Sequence, residues 1–514
     1  MEVVGRLRGA AYPRIVGVDV GAALNLVGAI VKYLSLAFLL PTAVALGYSE
    51  PVWAFVVAGA LCAALGVGLE LLTAGKERVG PREGFLVVAL TWLVAAFLVS
   101  LPYLLSGEEQ LARPVDTFFE GMSGMTTTGS TILTDIPALN NSLALWRQFT
   151  QWLGGMGIIV LALAVLPRLR VGGRQLMEAE LPGPEIEKLT ASIRDTARRL
   201  WLLYIGLTAA EVVALSVVGW AGADERMSFY KAVAHAFTTM PTGGFSTEAR
   251  SIEAFGAVSQ WVIAFFILLA GANFALMYRT LVRRQPWILG RDEEFRLYLG
   301  VLAVAATVLG VQLWVEGIFV GEEAVRHSVF QALTIVTTTG YSSTDFNEWL
   351  VAAPFAAMVL VALMFSGGSS GSTSGSVKVV RHLLIGKNLR RELDQTVHPE
   401  LVSPVRLNRS VLDEKTLRAV ISFVLLYVGI FVVAAIVLLL DATRTGIELT
   451  PFEAIAAAAT TLGNVGPALG FAGPMGSFEP FSDVSTGLMI VLMWVGRLEI
   501  IPIVVLFTRN YWRA

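Results

Sequence analysis

The sequence predicts an all-α polytopic membrane protein with ten transmembrane helices, an N-terminal pair followed by four two-helix repeats. Three observations carry this expectation. Of 514 residues, 55% are hydrophobic and only 15% are charged, more apolar surface than a water-soluble core could hide. The apolar residues gather into ten stretches close to the roughly 20 residues that a helix needs to cross the hydrocarbon. A Thr/Gly-rich stretch recurs four times, each between two of those segments: Thr126-Thr127-Thr128-Gly129, Thr239-Met240-Pro241-Thr242-Gly243-Gly244, Thr337-Thr338-Thr339-Gly340 and Thr461-Leu462-Gly463-Asn464-Val465-Gly466.

In chain order, the spans lie near 19–46 and 51–73, before any repeat. The repeats then supply 84–105 with 147–167, 198–221 with 257–281, 295–319 with 349–385, and 416–440 with 484–508. An even count puts both termini on one side. Of the 38 Lys and Arg residues, 29 fall on that side and 7 on the other, with Lys32 and Arg497 inside helices. Cytoplasmic loops hold the basic excess, so both termini are expected in the cytoplasm and the Thr/Gly stretches outside. Arg6, Arg8 and Arg14 precede the first segment and no small-residue cleavage site follows, so it reads as a span rather than a removable signal. The net charge of −2 carries no nucleic-acid signature, and Cys62, the only cysteine, can form neither an intrachain disulfide nor a thiolate cluster.

Within each repeat, a segment too short to cross precedes the Thr/Gly stretch: Val115–Met125, Met227–Thr238, Ala324–Val336 and Pro451–Thr460. A half-length helix followed by an extended return fits a re-entrant pore loop, since non-helical backbone at membrane depth survives only when buried or lining water. Each repeat then reads as helix, pore loop, helix. Four such loops in register imply a pseudo-fourfold pore, where four external hairpins would be the plainer alternative.

The residue types suit a cation that must shed water. Backbone carbonyls of an extended loop can replace its hydration shell, and glycine adopts the required backbone at low cost. The candidate filter residues are Thr127, Thr128 and Gly129; Thr242, Gly243 and Gly244; Thr338, Thr339 and Gly340; and Asn464, Val465 and Gly466. The C-terminal end of each short helix would turn the negative pole of its dipole toward the ion. Asp135, Glu248, Asp345 and Glu479 follow the loops, either concentrating cations at the outer mouth or serving as ordinary solvated charges.

Two features stand below the loops. The run from Ser366 to Ser376, containing Gly367, Gly368, Gly371, Ser372, Thr373 and Gly375 ahead of Lys378, interrupts an otherwise apolar segment; polar backbone there must line water or be covered by protein. It is no phosphate-binding loop, because Lys378 has the wrong spacing and Val379 stands where Ser or Thr is needed. Arg497 lies in the apolar run Leu488 to Leu506 with Glu499 two residues on. An intramembrane arginine marks a pathway by default, or else pairs with Glu499 or a pore helix. Lys32 can snorkel or pair, and His235, His327, His382 and His398 lack the partners of a metal site.

The chain resembles the Trk/Ktr/HKT superfamily of potassium-uptake proteins, in its bacterial TrkH branch, over nearly its whole length. The residues that carry this are Thr126 to Gly129 with Trp152-Leu153-Gly154-Gly155-Met156-Gly157-Ile158-Ile159, Thr337 to Tyr341 with Ser343-Thr344-Asp345-Phe346, Leu462 to Pro467, His398-Pro399, and Gly496-Arg497-Leu498-Glu499. The resemblance implies an N-terminal two-helix domain (1–78) and pore repeats at 79–175, 190–290, 291–395 and 410–514. Glycine at all four reference positions implies potassium as the permeant ion, and the Gly/Ser run with Arg497 implies a gate. Met240-Pro241 sets the second loop apart, and Ser374-Gly375-Ser376 replaces the family's usual glycine pair at the end of the gating loop. The resemblance also implies a homodimer in the bacterial inner membrane and a cytosolic regulatory subunit of the TrkA type that binds NAD or ATP. No cofactor is expected on this chain, which has no Gly-x-Gly-x-x-Gly after a strand. A sodium- or proton-coupled symporter is the alternative, although the repeats share one orientation and their spans hold few carboxylates. An intramembrane enzyme would need a catalytic constellation that the sequence lacks.

Overall fold

The computed structural model describes residues 17–75, 80–165, 193–408 and 410–513. The basic flank Arg6 to Arg14 and the basic stretch Arg168 to Lys188 lie outside the described residues.

The N-terminal pair consists of Val20–Leu34, continued through a 3-10 turn into Leu39–Tyr48, and Trp53–Leu72. Asp19 caps the first helix by accepting the Ala22 amide. Ser49, in the left-handed region, ends Leu39–Tyr48, and Glu50 then reaches the next unit. Its carboxylate accepts the amides of Asn141 and Ser142, both at 2.8 Å, capping the first turn of helix Asn141–Val165. Burial pushes the Glu50 carboxyl up, but the hydrogen bonds from Ser142 and Asn141 outweigh it and leave it below the usual carboxylate range. A lowered folded value means a contribution fully present above the ordinary carboxylate range and lost as pH falls through the folded value. Glu50→Ala is therefore expected to cost about 1 kcal/mol, seen as a lower melting temperature in detergent at neutral pH, with the gap to the native protein closing on acidification.

Four short helices form the interior: Pro114–Met125, Phe229–Thr239, Gly321–Val336 and Pro451–Gly463. Local sequence starts them: proline at the first turn of the first and fourth, the Ser228 hydroxyl accepting the Lys231 amide, and a capping box in which Thr450 and Glu453 satisfy each other's backbone. The C-terminal halves of all four are buried. Longer helices surround them, Pro81–Ser106, Ile193–Trp220, Glu293–Val315 and Glu414–Thr445 among them. These and the N-terminal pair expose apolar side chains such as Leu72, Trp220 and Leu425 outward, the reverse of a soluble protein and the pattern of lipid contact.

Six helices among the described residues are long and apolar enough to cross a membrane unbroken: Val20–Tyr48, Trp53–Leu72, Arg82–Ser106, Ala197–Trp220, Glu293–Val315 and Glu414–Thr445. The second helix of the first, second and fourth repeats departs from the expected continuous span, while that of the third is interrupted where the Gly/Ser run stands. Asn141–Val165 begins six residues before the expected start at 147, and its first turns carry Arg147, Gln148 and Gln151. The segment expected at 257–281 breaks after Ala270, and Phe274–Val282 turns away by 104°. The backbone groups freed there are taken by the Gly/Ser loop: Ser369 N donates to Gly271 O at 2.9 Å and Phe274 N to Gly371 O at 3.1 Å. The segment expected at 349–385 holds Pro354–Leu363, non-helical residues, and then Val379–Val397. The one expected at 484–508 splits into Asp483–Arg497 and Ile501–Leu506, with Glu499 and Ile500 at positive φ. A small β-hairpin pairs Arg406–Leu407 with Ser410–Val411, and Leu407 joins Val380, Leu384 and Leu417 in a satellite core.

Candidate functional site

The four Thr/Gly loops close into a ring. Each short helix ends in a left-handed residue two positions before the reference glycine: Thr127 (φ 53), Thr242 (φ 55), Thr338 (φ 56) and Asn464 (φ 54). The residue between donates its amide five positions back, Thr128 to Ser123 O, Gly243 to Thr238 O, Thr339 to Thr334 O and Val465 to Thr460 O. Gly129, Gly244, Gly340 and Gly466 then stand at φ +86, +80, +80 and +118. Four different sequences thus repeat one backbone path, and glycine is the residue that tolerates its last step.

Each glycine abuts the next loop's carbonyl. A Cβ at Gly129 would stand 2.2 Å from Gly243 O, at Gly244 2.0 Å from Thr339 O, at Gly340 2.0 Å from Val465 O, and at Gly466 2.8 Å from Thr128 O. The order runs first, second, third, fourth and back to first. All twelve expected filter residues lie in this ring. Side chains brace it from behind: Thr126 and Thr128 share a hydroxyl hydrogen bond at 2.7 Å, as do Thr337 and Thr339. Ser130 Oγ donates to Gly466 O at 2.7 Å, and Asn464 Nδ2 donates to Thr128 Oγ at 2.9 Å. The Tyr341 hydroxyl reaches Thr238 and donates to His235 O, joining the third loop to the second.

A cavity beside the ring is lined by all four glycines together with Arg147, Phe245 and Glu248. Of the four acidic candidates only Glu248 lines it; Asp135, Asp345 and Glu479 do not. Burial pushes the Glu248 carboxyl up, but Lys231, at 2.7 Å, outweighs it through hydrogen bonding and charge and holds it below the usual range. Three of the histidines make local hydrogen bonds: His235 contacts Ser246 Oγ at 3.0 Å, His327 contacts Ser343 Oγ at 2.9 Å and His382 contacts Phe365 O at 3.2 Å.

Beneath the ring runs the Gly/Ser loop. Gly375 N donates to Thr338 Oγ at 2.6 Å, Thr373 Oγ donates to Met240 O at 3.0 Å, and a Cβ at Gly375 would meet Gly463 O at 2.4 Å, so the loop touches the second, third and fourth short-helix ends. Its base is pinched where Gly367 N donates to Val377 O at 2.7 Å, and Val379 N donates to Gly368 O. Ser372 Oγ holds Ser369 O, the Gly371 carbonyl takes the Phe274 amide, and the Lys378 ammonium reaches Ser374 O. Glu294, fully buried, accepts the Ser370 amide.

Arg497 meets this loop from the fourth repeat. Its guanidinium donates to Thr373 O at 2.8 Å and to Gly154 O at 3.4 Å; among the described residues Nε has no hydrogen-bond partner, and the side chain is 3% exposed. The alternative pairing with Glu499 does not form, because Glu499 pairs with Arg381. All eight gate candidates therefore gather below the ring.

Arg147 stands at the very edge of the expected 147–167 span. It sits inside helix Asn141–Val165, 1% exposed and 2.6 Å from the equally buried Glu120. Gln151, one helical turn on, donates to Gly243 O at 2.7 Å and accepts the Phe245 amide at 3.2 Å. Polar residues four apart in an apolar stretch were the signal available for both.

The family model for TrkH, described as a cation transport protein, matches residues 52–514. The chain is 37% identical to the Trk system potassium uptake protein TrkH of Escherichia coli K12 over 456 residues, 88% of this chain and 90% of that protein. It is 36% identical to the same-named protein of Salmonella typhimurium over 496 residues, 95% of this chain and 98% of the relative. The crystal structure of the potassium transporter TrkH from Vibrio parahaemolyticus superposes with a TM-score of 0.84 at 31% identity, covering 96% of this chain and all of that one.

Proposed function

Since the chain belongs to the TrkH family of cation transport proteins, we propose that it takes up potassium across a bacterial inner membrane through the axis of its four-loop ring. The observation that carries this is the ring itself, four left-handed glycines abutting one another's carbonyls in cyclic order. Main-chain oxygens of Thr127, Thr128, Thr242, Gly243, Thr338, Thr339, Asn464 and Val465, with the four glycines, stand in for the ion's water. The relatives are named as transporters, and the proposed activity is transport rather than catalysis.

The interrupted helices complete ten spans: an N-terminal pair (1–78) and four pore repeats, 79–175, 190–290, 291–395 and 410–514. Both termini face the cytoplasm, following the basic residues. The Gly/Ser loop and Arg497 close the path below the ring, polar backbone and a fixed positive charge in the way of a cation. The relatives belong to a Trk system, in keeping with a membrane homodimer controlled by a cytosolic TrkA-type subunit that carries NAD or ATP; this chain itself holds no nucleotide. Uptake follows the electrochemical gradient, the membrane potential supplying about 2.3 kcal/mol per charge per 100 mV.

Rubidium and sodium uptake into proteoliposomes tests the reading. The wild type is expected to favour rubidium, and Gly129→Ser, which adds a side chain against Gly243 O, to erode that preference. A wild type indifferent between the two ions would sink the proposal.

A further inference from the structure

The junctions of the ring are closed in different ways, and one of them is closed by charge. Between the fourth and first loops the clips are neutral, Ser130 to Gly466 O and Asn464 to Thr128. Between the second and third, Tyr341 and the Ser342–Ser251 contact do the same. Behind the first and second loops lies the Glu120–Arg147 pair, with both side chains essentially without solvent exposure.

Its contacts span two loops. Glu120, on the first short helix, accepts the Thr131 hydroxyl at 3.1 Å and the Ile132 amide at 3.2 Å, gripping the strand that leaves Gly129. Arg147 spends its three nitrogens on three targets: Glu120 at 2.6 Å, the Thr131 hydroxyl at 3.2 Å and Ser246 O at 3.3 Å, two residues past Gly244. Its guanidinium also lies 4.0 Å from the centre of the Phe245 ring. His235 holds the Ser246 hydroxyl from the other side. At the positions equivalent to Glu120 the other short helices carry His235, Gln331 and Ala457, so none repeats the carboxylate.

Such a pair gains little stability. The cost of stripping water from two buried charges is close to what their attraction returns, and apolar side chains of similar volume often replace them without loss. What the pair supplies is geometry, since a rigid planar guanidinium holds its three acceptors in fixed, spread positions, whereas an ammonium offers three donors from one compact, freely rotating nitrogen. Arg147 also lines the cavity beside the glycines, where an unneutralised positive charge would repel the cations that must enter.

Resting on the ion-pathway reading above, we infer that Glu120 and Arg147 form a selectivity-determining brace. They fix the separation of the first and second loops and so the ring's discrimination among monovalent cations. They touch no ion themselves and act through Thr131 and Ser246.

The test uses the full-length chain in proteoliposomes, measuring rubidium and sodium uptake for Arg147→Lys, Thr131→Val and the apolar pair Glu120→Leu/Arg147→Met. Folding is checked by a monodisperse profile in detergent. Expected is retained rubidium uptake with the rubidium-to-sodium ratio falling about tenfold in Arg147→Lys, the effect of one charge-assisted hydrogen bond lost from the loop. The apolar pair should show at least the same fall while still folding. A ratio within about twofold of wild type in the folded variants, or a lower melting temperature with the ratio intact, would make the pair merely structural and overturn the inference. Failure of all three variants to fold would overturn it too. A wild type that discriminates while the variants match it defeats this inference alone, whereas a wild type that does not discriminate defeats the pathway reading.

Discussion

Proteoliposomes containing Arg497→Ala are expected to leak rubidium without any activating partner, at about ten times the wild-type basal rate or more. The argument is electrostatic. Arg497 is buried directly below the ring, its guanidinium met only by carbonyl oxygens of Thr373 and Gly154 and, among the described residues, by no carboxylate within ion-pair distance. A unit charge a few ångströms from a cation's path, where water screens poorly, raises the barrier by more than the roughly 1 kcal/mol it would in bulk water. Its removal also frees Thr373 O, loosening the Gly/Ser loop. Arg497→Lys separates the two effects: it keeps the charge and is expected to keep the basal rate low. Unchanged leakage in Arg497→Ala would remove this residue from the gate.

Gly340→Ala is expected to reduce rubidium uptake to the background of empty liposomes. The added methyl would sit 2.0 Å from Val465 O and 3.0 Å from the Pro467 ring, inside the ring itself, on backbone at φ +80 where an L-side chain is strained by about 1–2 kcal/mol. Neither neighbour is the movable end of a long side chain, so the ring must open or the third loop must leave it. The short helices below remain buried, so the protein should still run as a folded species in detergent. Folded protein with normal uptake would mean that ions do not pass this ring.

The sequence made the interior legible and its braces obscure. Expected and observed bounds of the four short helices agree within three residues, because the first, second and fourth open on a proline or a side-chain cap and all four run into a Thr/Gly signature. The role of Arg147 is hidden in the sequence, since a polar residue at the end of an apolar stretch looks like a loop charge until Glu120, distant in the chain, is set opposite it. The bend after Ala270 is invisible in the sequence for a similar reason: its stability depends on distant residues, the Ser369 amide donating to Gly271 O and the Gly371 carbonyl accepting from Phe274 N. A pairing of Arg497 with Glu499 is the alternative that the sequence leaves open, but side chains two apart do not face each other on a helix. The break at Leu498–Ile500 turns Glu499 toward Arg381 instead.

The outward display of leucine and tryptophan around a hydroxyl- and glycine-rich centre inverts the usual map of mutational tolerance. In a water-soluble globule a scan finds its intolerant sites among the oily residues and its permissive ones among threonines and serines. For this chain, exchanging Leu425 for another aliphatic residue trades one lipid-facing surface for another, whereas removing a single hydroxyl such as that of the buried Thr128 strips both Asn464 and Thr126 of a hydrogen-bond partner.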